Sequence, residues 1–267
     1  MTRLTDDMVK DIIGSLDDVD SMLKGIAGMG ILELACDAAM VEYGSLNMDF
    51  KVGVVPITSG LGVIRGFSES VAEIMNRLGM SAFVTKGADV TGFVEAISEE
   101  ADIVFMADDT ECVSYNVKAG RYSNNSFSTA AGYTSALKGA AGGLKGREVL
   151  VIGAGRVGSI ATAILTDMSA KVSVFDIDEE KAKELQRKFD VNVFSDMGDA
   201  ISSHTLILNA SPAPMKGVQI REGSIISSPG IPHVFDDEGL RKAKIIHDPL
   251  EIGVAVMAVQ SASFSRI

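Results

Sequence analysis

The chain has 267 residues, which at about 150 residues per domain predicts one large domain or two ordinary ones. Hydrophobic residues make up 46% and charged residues 22%, a globular composition that excludes general disorder. The 36 acidic and 24 basic residues give a net charge of −12, which argues against binding to nucleic acid or to an anionic membrane. Because the chain has only two cysteines, no apolar run of membrane-spanning length and no secretory signal pattern, we expect a cytoplasmic protein.

Helix and strand patterns alternate along the first half of the chain. Apolar residues that recur every three or four positions predict helices over residues 5–24 and 31–41. Short β-rich runs predict strands at 52–56, 82–84 and 102–106. Between these strands, two helices are expected to bury the apolar faces Val71, Ile74, Met75 and Leu78, and Val90, Phe93, Val94 and Ile97. Residues 122–137 are interpreted as a loop that leads into a connecting helix, near the domain boundary.

A second series of strands and helices begins at Arg147 and ends in an apolar, helical tail over residues 253–264. Its strands are predicted at 149–152, 171–175, 191–194, 205–208, 224–226 and 244–246, with helices at 156–167 and 179–188. Strands that alternate with helices predict parallel sheets with helical crossovers. The predicted fold is therefore α/β with two domains. The first covers residues 1–125, joined by a C-terminal helix in 248–267, and the second covers 126–247.

The run Gly153-Ala154-Gly155-Arg156-Val157-Gly158 has the spacing G-x-G-x-x-G, after a predicted strand and at the start of a predicted helix. The first glycine permits a tight turn, the second lets the backbone approach a pyrophosphate, and the third brings the helix close to the sheet. Asp176, at the end of the next strand, is placed to accept hydrogen bonds from an adenosine ribose. This pattern predicts a Rossmann domain, a doubly wound parallel sheet, with cofactor contacts from the whole run and from Asp176 and Ile177.

The sequence after that acid favours one dinucleotide over the others. Asp176-Ile177-Asp178 contains no cation for a 2′-phosphate, which favours NAD over NADP. FAD is less favoured, because its fingerprints usually lie at the extreme N-terminus of a chain. A glycine turn beside a solvated aspartate, with no dinucleotide at all, is the remaining and less favoured alternative.

Two further loops follow later strands of the same predicted sheet. Ala210, Ser211 and Pro212 lie in one loop, and Pro229 and Gly230 lie in the other. Because ligands bind at the carboxyl ends of the strands in such sheets, we expect these residues to border the nicotinamide ribose and ring. The alternative is a pair of rigid turns that contact no ligand.

Polar loops also follow strands of the first domain. The loop over 58–62 contains Ser59, and its glycines are misspaced for a second dinucleotide turn, so we expect it to hold substrate. Asp108 and Asp109 follow the strand at 102–106 and suit a cationic amine or a proton transfer. An ordinary Asp-rich turn explains this acidic pair nearly as well.

The remaining polar residues of interest lie beside the second domain or are His and Cys residues. Asn124-Asn125 and residues 248–251 flank the second domain and are expected at hinges that face a cleft. No cluster of His and Cys has the spacing of metal ligands, so no metal is predicted. Cys112 is interpreted as a buried structural thiol.

Several loops together form a pattern more specific than the glycine-rich turn. The runs are Val55-Pro56-Ile57-Thr58-Ser59-Gly60, Gly66-Phe67-Ser68-Glu69-Ser70, Met106-Ala107-Asp108-Asp109, Asn124-Asn125, Ser228-Pro229-Gly230-Ile231-Pro232 and Pro249-Leu250-x-Ile252-Gly253. In order along the chain from about residue 50, these runs resemble the dehydrogenase family of pyrrolysine biosynthesis, PylD. The resemblance implies a two-domain dehydrogenase with an N-terminal substrate or catalytic domain and an NAD-binding Rossmann domain.

The resemblance also implies a reaction and the residues that carry it. Enzymes of this family oxidise the terminal amine carbon of 3-methylornithyl-lysine with NAD and release ammonia, and the resulting semialdehyde cyclises to pyrrolysine. Their N-terminal helix closes over substrate, a role that falls here on the helix bearing Leu4. The family's substrate contacts match Leu4, Ser59, Asp108 and Asn125, of which Ser59 and Asp108 are the expected catalytic residues.

The chain departs from the family pattern at two of these places. The acid before Pro-Leu is Glu in the family and Asp248 here, one methylene shorter but with the same charge. Leu61 replaces an Asn between two glycines, so any contact through that amide side chain is lost.

The implied substrate, an amide of 3-methylornithine and lysine, carries amines that suit a protein of net charge −12. The carboxylates of Glu69, Asp108, Asp109 and Asp248 are the expected partners of those amines. A homodimer is the expected assembly. Two alternatives stay open: another NAD-dependent dehydrogenase of a small amino acid or hydroxy acid, and a dinucleotide-sensing module without catalysis.

Overall fold

The computed structural model describes residues 4–264, which form two compact units. Unit 1 contains the chain up to Asp20, Gly30–Thr129 and the segment from Pro249 onward, and unit 2 contains Ser21–Met29 and Ala130–Asp248. The chain thus passes between the units about four residues later than the predicted 125/126 boundary and one residue later than 247/248. The assignment of Ser21–Met29 to unit 2 was not predicted, since one amphipathic helix pattern runs through this segment.

The elements are as follows. The helices are α1 (Asp6–Val9), α2 (Ile12–Ala27), α3 (Ile31–Ala38), α4 (Phe67–Arg77), α5 (Asp89–Ser98), α6 (Asn125–Ala141), α7 (Arg156–Asp167), α8 (Glu179–Lys188), α9 (Met197–Ser203), α10 (Asp237–Lys242) and α11 (Glu251–Ser263). The strands are β1 (Lys51–Val55), β2 (Ser81–Val84), β3 (Ile103–Ala107), β4 (Cys112–Asn116), β5 (Arg121–Asn124), β6 (Glu148–Ile152), β7 (Lys171–Phe175), β8 (Asn192–Val193), β9 (Leu206–Asn209), β10 (Ser224–Ser227) and β11 (Ala243–Ile246). No helix among residues 4–264 combines the length and apolar character that crossing a membrane requires.

The sheet of unit 1 has the order β2-β1-β3-β4-β5. Strands β1, β2 and β3 are parallel as predicted, whereas β4 is antiparallel to both of its neighbours. Neither β4 nor β5 was predicted. Within residues 122–137 the expected connecting helix is present as α6, whereas the loop expected before it is wrong because β5 occupies those residues. The inward residues of β4 and β5 include Ser114, Asn116 and Ser123, so these strands lack the apolar alternation that identifies a strand in sequence.

Several buried polar groups of β4 and β5 form hydrogen bonds with the apolar helix α11. The Ser123 hydroxyl donates to the Met257 carbonyl at 3.0 Å, and the Asn116 amide donates to the Ser261 carbonyl at 2.9 Å. The Ser261 hydroxyl in turn donates to the Ser114 carbonyl at 2.9 Å. These bonds to a helix more than a hundred residues away replace apolar packing, and no local sequence pattern reports them.

Two helix predictions in unit 1 need correction. The helix predicted over 5–24 is two helices, α1 and α2, separated at Lys10 and Asp11, although Ile12, Leu16 and Leu23 are buried as predicted. In α5 the expected apolar face is wrong, since Val90, Val94 and Ile97 are exposed. The helix instead buries Gly92 and Ala96, and a Cβ added at Gly53 of β1 would lie only 2.6 Å from the Ala96 Cβ. Small residues let α5 approach the sheet closely, which an apolar-face count cannot detect.

The sheet of unit 2 has the order β11-β10-β9-β6-β7-β8, and every strand is parallel to its neighbours. This arrangement is the doubly wound Rossmann sheet that was predicted, and the strand order reverses between β6 and β9. Its apolar core includes Leu150, Ile152, Ile201, Ile207 and Ile226. The glycine-rich turn follows β6 at this reversal point, the place where ligands bind in sheets of this type.

Candidate functional site

The glycine-rich turn of unit 2 is built from backbone contacts that exclude side chains. Gly153 follows β6 with φ of +96°, a conformation that favours glycine, and an added Cβ would lie 3.0 Å from the Ala210 carbonyl oxygen. At Gly158 in the first turns of α7, an added Cβ would lie 1.7 Å from the Gly153 carbonyl oxygen. The turn and the helix therefore leave no room for a side chain at Gly158 and little at Gly153.

Gly155 differs from these two glycines because an added Cβ there would meet no protein atom within 4 Å. It precedes α7, which has no side-chain cap and no acidic residue in its first turn. The space beside Gly155 thus lies at the N-terminal end of α7, which is the positive end of the helix dipole. This geometry fits a dinucleotide pyrophosphate, which needs close backbone approach and N–H donors.

Asp176 lies at the carboxyl end of β7, next to the glycine-rich turn. One carboxylate oxygen accepts from the Ala154 amide at 2.5 Å, and the other accepts from the Asp178 amide at 2.8 Å. The side chain is thereby fixed beside the turn, with lone pairs left for ribose hydroxyls. Ile177 is 96% exposed, so its side chain makes almost no contact with the protein.

The loops after β9 and β10 are joined to each other at the same edge of the sheet. The Gly230 amide donates to the Asn209 carbonyl at 2.9 Å, and an added Cβ at Gly230 would lie 2.1 Å from the Ser211 carbonyl oxygen. The buried Asn209 side chain accepts from both the amide and the hydroxyl of Ser211, at 3.2 and 3.1 Å. The structure thus brings Ala210, Ser211 and Gly230 together with Gly153, at the carboxyl ends of neighbouring strands.

In unit 1, the loop after β1 is held by two carboxylates from other elements. Asp89, the first residue of α5, accepts from the Thr58 amide at 2.8 Å and from its hydroxyl at 2.5 Å. Asp109, which follows β3, accepts from the Leu61 amide at 2.7 Å. Ser59 is exposed between these two anchors. Hydrogen bonds from Thr58 lower the pKa of the Asp89 carboxyl, so the carboxylate stays ionised.

Asp108, the other acid of the predicted pair, has a different role from Asp109. Asp108 is exposed, and one of its carboxylate oxygens accepts from the amides of Thr110 and Glu111 at 2.7 and 2.8 Å. These bonds fix the side chain at the end of β3 and also match the Asp-rich turn considered as the alternative. Asp108 and Asp109 therefore diverge: one shapes its own turn, and the other fixes the loop that carries Ser59.

Asn125 begins α6, and its amide oxygen accepts from the Thr129 hydroxyl at 3.0 Å. An added Cβ at Gly253 of α11 would lie 2.7 Å from that amide oxygen. A glycine at this position of α11 is thus explained by its close approach to Asn125. The neighbouring Asn124 caps the helix, since its side chain accepts from the Phe127 amide at 3.0 Å.

The N-terminal segment lies beside the β1 loop region. Leu4 is buried at 9% exposure, and the Asp6 carboxylate accepts from the Arg65 amide at 3.0 Å. A cavity of about 370 Å³ lies next to this contact. Its lining residues are Asp6, Pro56, Val63, Arg65, Gly66, Ser68 and Glu69. Glu69, predicted from sequence as a partner of substrate amines, therefore borders a cavity of unit 1, whereas Ser59 and Asp108 do not line it.

Asp248, the last residue of unit 2, is buried at 5% exposure. Its backbone is bonded to the hydroxyl of Tyr133 on α6, a residue that the sequence did not single out. Asp89 was missed as well. Only a weak indication of either residue is present in the sequence. Tyr133 is one of four tyrosines and lies in an Ala-rich segment, where a tyrosine is unusual. Asp89 is an acid at the start of a helix, a position that the helix dipole favours without any further role.

Two family models match the chain. The model "Pyrrolysine biosynthesis protein PylD, N-terminal domain" matches residues 8–123, and "Alanine dehydrogenase/PNT, C-terminal domain" matches residues 120–225. The chain is 32% identical to pyrrolysine synthase of Methanosarcina barkeri over 96% of this chain and 97% of that protein. It is also 32% identical to pyrrolysine synthase of Methanosarcina acetivorans, over 96% of this chain and 98% of that protein.

Solved structures show the same fold at lower sequence identity. Quinate dehydrogenase from Corynebacterium glutamicum, in complex with NAD, superposes with a TM-score of 0.55 at 14% identity, covering 80% of this chain and 94% of that chain. Shikimate dehydrogenase from Aquifex aeolicus has a TM-score of 0.55 at 15% identity and covers 82% of this chain and 94% of that chain. With relatives 32% identical over nearly their whole length, the chain belongs to the PylD family of pyrrolysine-biosynthesis dehydrogenases.

Proposed function

We propose that this protein oxidises the terminal amine of 3-methylornithyl-lysine, the amide of 3-methylornithine and lysine, to give pyrrolysine. The observation that carries the proposal is the 32% identity to pyrrolysine synthases over 96% of the chain. The proposal also agrees with the net charge of −12, because the substrate carries amines.

The proposed reaction is a two-electron oxidation of the terminal amine, followed by loss of its nitrogen as ammonia and ring closure by the remaining amine. The amine carbon loses a hydride and the ammonium nitrogen loses a proton, so that a C=N double bond replaces the single bond. Water adds to this carbon and ammonia leaves, which gives the aldehyde. The remaining amine of the ornithyl part attacks the aldehyde and water leaves, which closes the pyrroline ring. NAD, when bound, supplies the hydride acceptor.

The proposed NAD-binding residues are those of the glycine-rich turn and the loops around it. The pyrophosphate lies against the open backbone at Gly155 and the first amides of α7, including those of Arg156 and Val157. Asp176 accepts from the ribose hydroxyls, and its lack of an adjacent cation supports NAD rather than NADP. The loops with Ala210, Ser211 and Pro212, and with Pro229 and Gly230, border the nicotinamide end.

The proposed substrate-binding residues carry mostly negative or neutral polar groups. Asp108 and Asp248 bind ammonium groups of the substrate, and Ser59 and Asn125 donate or accept hydrogen bonds. Asp108 keeps one oxygen on its own turn amides, so its second oxygen is the one directed to an amine. With Leu4 buried next to α1, this helix limits the access of water, which would otherwise compete during the reaction.

Turnover with a panel of substrates tests this proposal. We expect NADH absorbance to appear with 3-methylornithyl-lysine or ornithyl-lysine, and not with free ornithine or simple hydroxy acids. Production of NADH from ornithine or a hydroxy acid instead would favour a different amino-acid or hydroxy-acid dehydrogenase. NAD binding without consumption of any of these compounds would favour a dinucleotide sensor.

The homodimer and the cytoplasmic location stay predictions from the sequence. Light scattering coupled to size-exclusion chromatography tests the first, and we expect twice the chain mass of 28.1 kDa. A mass equal to one chain would contradict it.

A further inference from the structure

Tyr133 makes an unusual set of hydrogen bonds with Asp248. Its side chain is buried at 2% exposure, and its hydroxyl accepts from the Asp248 amide at 2.8 Å. The same hydroxyl donates to the Asp248 carbonyl oxygen. The backbone of Tyr133 is fixed as well, because its carbonyl accepts from the Ser227 hydroxyl at 2.7 Å. One side chain therefore satisfies both backbone polar groups of Asp248 from a position anchored to the end of β10.

Asp248 needs this partner because it lies beyond the strand that precedes it. Strand β11 ends at Ile246, the last residue paired with β10, so Asp248 lies two residues past the paired strand. Buried N–H and C=O groups are costly unless they are bonded. Burial and the nearby Asp248 carboxylate raise the pKa of the Tyr133 phenol well above its ordinary value, so the hydroxyl keeps the proton that it donates.

The backbone position of an aspartate determines where its carboxylate lies. The Asp side chain has two rotatable bonds and a short reach, so a carboxylate that must meet an ammonium group depends on the position of its own Cα. In Asp248 both polar groups of the backbone bond to the Tyr133 hydroxyl, which fixes that position.

We propose that Tyr133 is a positioning residue of the active site, which acts by fixing the backbone of Asp248 so that its carboxylate binds an ammonium group of the substrate. This inference rests on the proposed function, in which Asp248 contacts the substrate. Tyr133 itself contacts neither substrate nor cofactor in this account, and its effect passes through Asp248.

The test uses Tyr133→Phe in a double-mutant cycle with Asp248→Asn in the full-length enzyme. We expect Tyr133→Phe to raise KM for 3-methylornithyl-lysine about 10-fold, the scale of one or two lost hydrogen bonds, with kcat and the Kd for NAD within about 2-fold. In the background of Asp248→Asn, the same change should add less than about 2-fold to KM. Full additivity of the two effects on KM would overturn the proposal.

Matched controls separate positioning from simple loss of stability. Ile201→Val removes one methyl group from the core of unit 2, and Tyr122→Phe removes the hydroxyl of an exposed tyrosine. Neither should change KM, although Ile201→Val should lower Tm. If Ile201→Val raises KM as much as Tyr133→Phe does, stability alone explains the effect and the proposal fails.

A second variant and a hydrogen-exchange measurement, which needs no turnover, also test the inference. If Tyr133→Phe does not fold, Ser227→Ala loosens the Tyr133 backbone instead, and we expect a KM increase of about 3-fold. Unchanged KM in that variant would contradict the proposal. Hydrogen exchange of the Asp248 amide should be faster in Tyr133→Phe, or in Ser227→Ala, than in the wild type. Unchanged exchange would refute the backbone contact, whereas absent turnover in the wild type would refute the proposed function alone.

Discussion

The two regions that the proposed reaction needs are built by different physical means. In unit 2 the turn after β6 is defined by missing side chains, since Gly153 and Gly158 allow backbone atoms to touch. In unit 1 the loop after β1 is defined by side chains that are present, since Asp89 and Asp109 bond the amides of Thr58 and Leu61. A substitution should therefore act sterically in the first region and electrostatically in the second.

The two regions should therefore tolerate different substitutions. At Gly153 and Gly158, where the turn has no space for a Cβ, any added side chain should disrupt it. A loop held by carboxylates keeps its shape only while those carboxylates are ionised or are replaced by groups that accept the same hydrogen bonds. The following predictions test that contrast, from the largest expected effect to the smallest.

Alanine at two glycines of the same turn should affect the stability of the protein differently. Gly158→Ala places a Cβ against the Gly153 carbonyl, and we expect the unfolding free energy of the cofactor-free protein to fall by about 2–3 kcal/mol, with NAD affinity lost as the turn distorts. Gly155→Ala meets no protein atom, so its stability should change by less than about 1 kcal/mol while NAD binding still weakens. Denaturant unfolding and calorimetric titration with NAD measure both. Equal stability losses would contradict the steric account.

Asp108→Asn should lower kcat by about 100-fold, the scale expected when a group that binds the reacting amine or assists its proton transfer loses its charge. The Asn oxygen can still accept from the Thr110 and Glu111 amides, so the turn should keep its shape and the Kd for NAD should stay within about 2-fold. Steady-state kinetics and NAD titration measure the two effects. Unchanged turnover would identify Asp108 as a turn residue only.

Asp176→Ala should weaken NAD binding about 10-fold, which corresponds to about 1.4 kcal/mol, because it removes the acceptor of the ribose hydroxyls. Asp178→Ala, two residues along, is the control and should leave the affinity unchanged. Fluorescence titration with NAD and with NADP measures both variants. Equal NAD affinity in wild type and Asp176→Ala would refute the ribose contact.

Asp89→Asn should produce the smallest effect, a KM increase of about 3-fold with no change in NAD affinity, because it weakens the anchor of the Thr58 loop.

Hydrogen bonds from Thr58 lower the pKa of the Asp89 carboxyl in the folded protein. The ionised Asp89 carboxylate therefore contributes fully to stability above the pKa of an unfolded Asp, about 3.9. This contribution is lost as the pH falls through the lower pKa that Asp89 has in the folded protein. Denaturant unfolding from pH 7 to pH 2 should show the stability of the wild type converging on that of Asp89→Asn. A constant difference across this range would contradict the assignment.

The same contrast determines what the sequence predicts. The Rossmann sheet, helices α7 and α8 and the glycine-rich turn follow from apolar periodicity and glycine spacing, which are local and leave a direct pattern. Strands β4 and β5 do not, because they bury polar residues, and the Asn116 amide, the Ser123 hydroxyl and the Ser114 carbonyl bond to the distant α11. The contacts of Asp89 with Thr58 and of Tyr133 with Asp248 join residues 31 and 115 positions apart. Such pairs depend on the folded topology, and no spacing along the chain reveals them.

The most direct test of the central claim is the fate of the terminal nitrogen. Ornithyl-lysine or 3-methylornithyl-lysine labelled with ¹⁵N at the terminal amine of the ornithyl part is incubated with the enzyme and NAD, and the products are measured by mass spectrometry. We predict that the label appears in ammonia, that the cyclised amino acid contains none, and that NADH and ammonia form in equal amounts. Retention of the label in a cyclised product, or NADH without ammonia, would contradict the account.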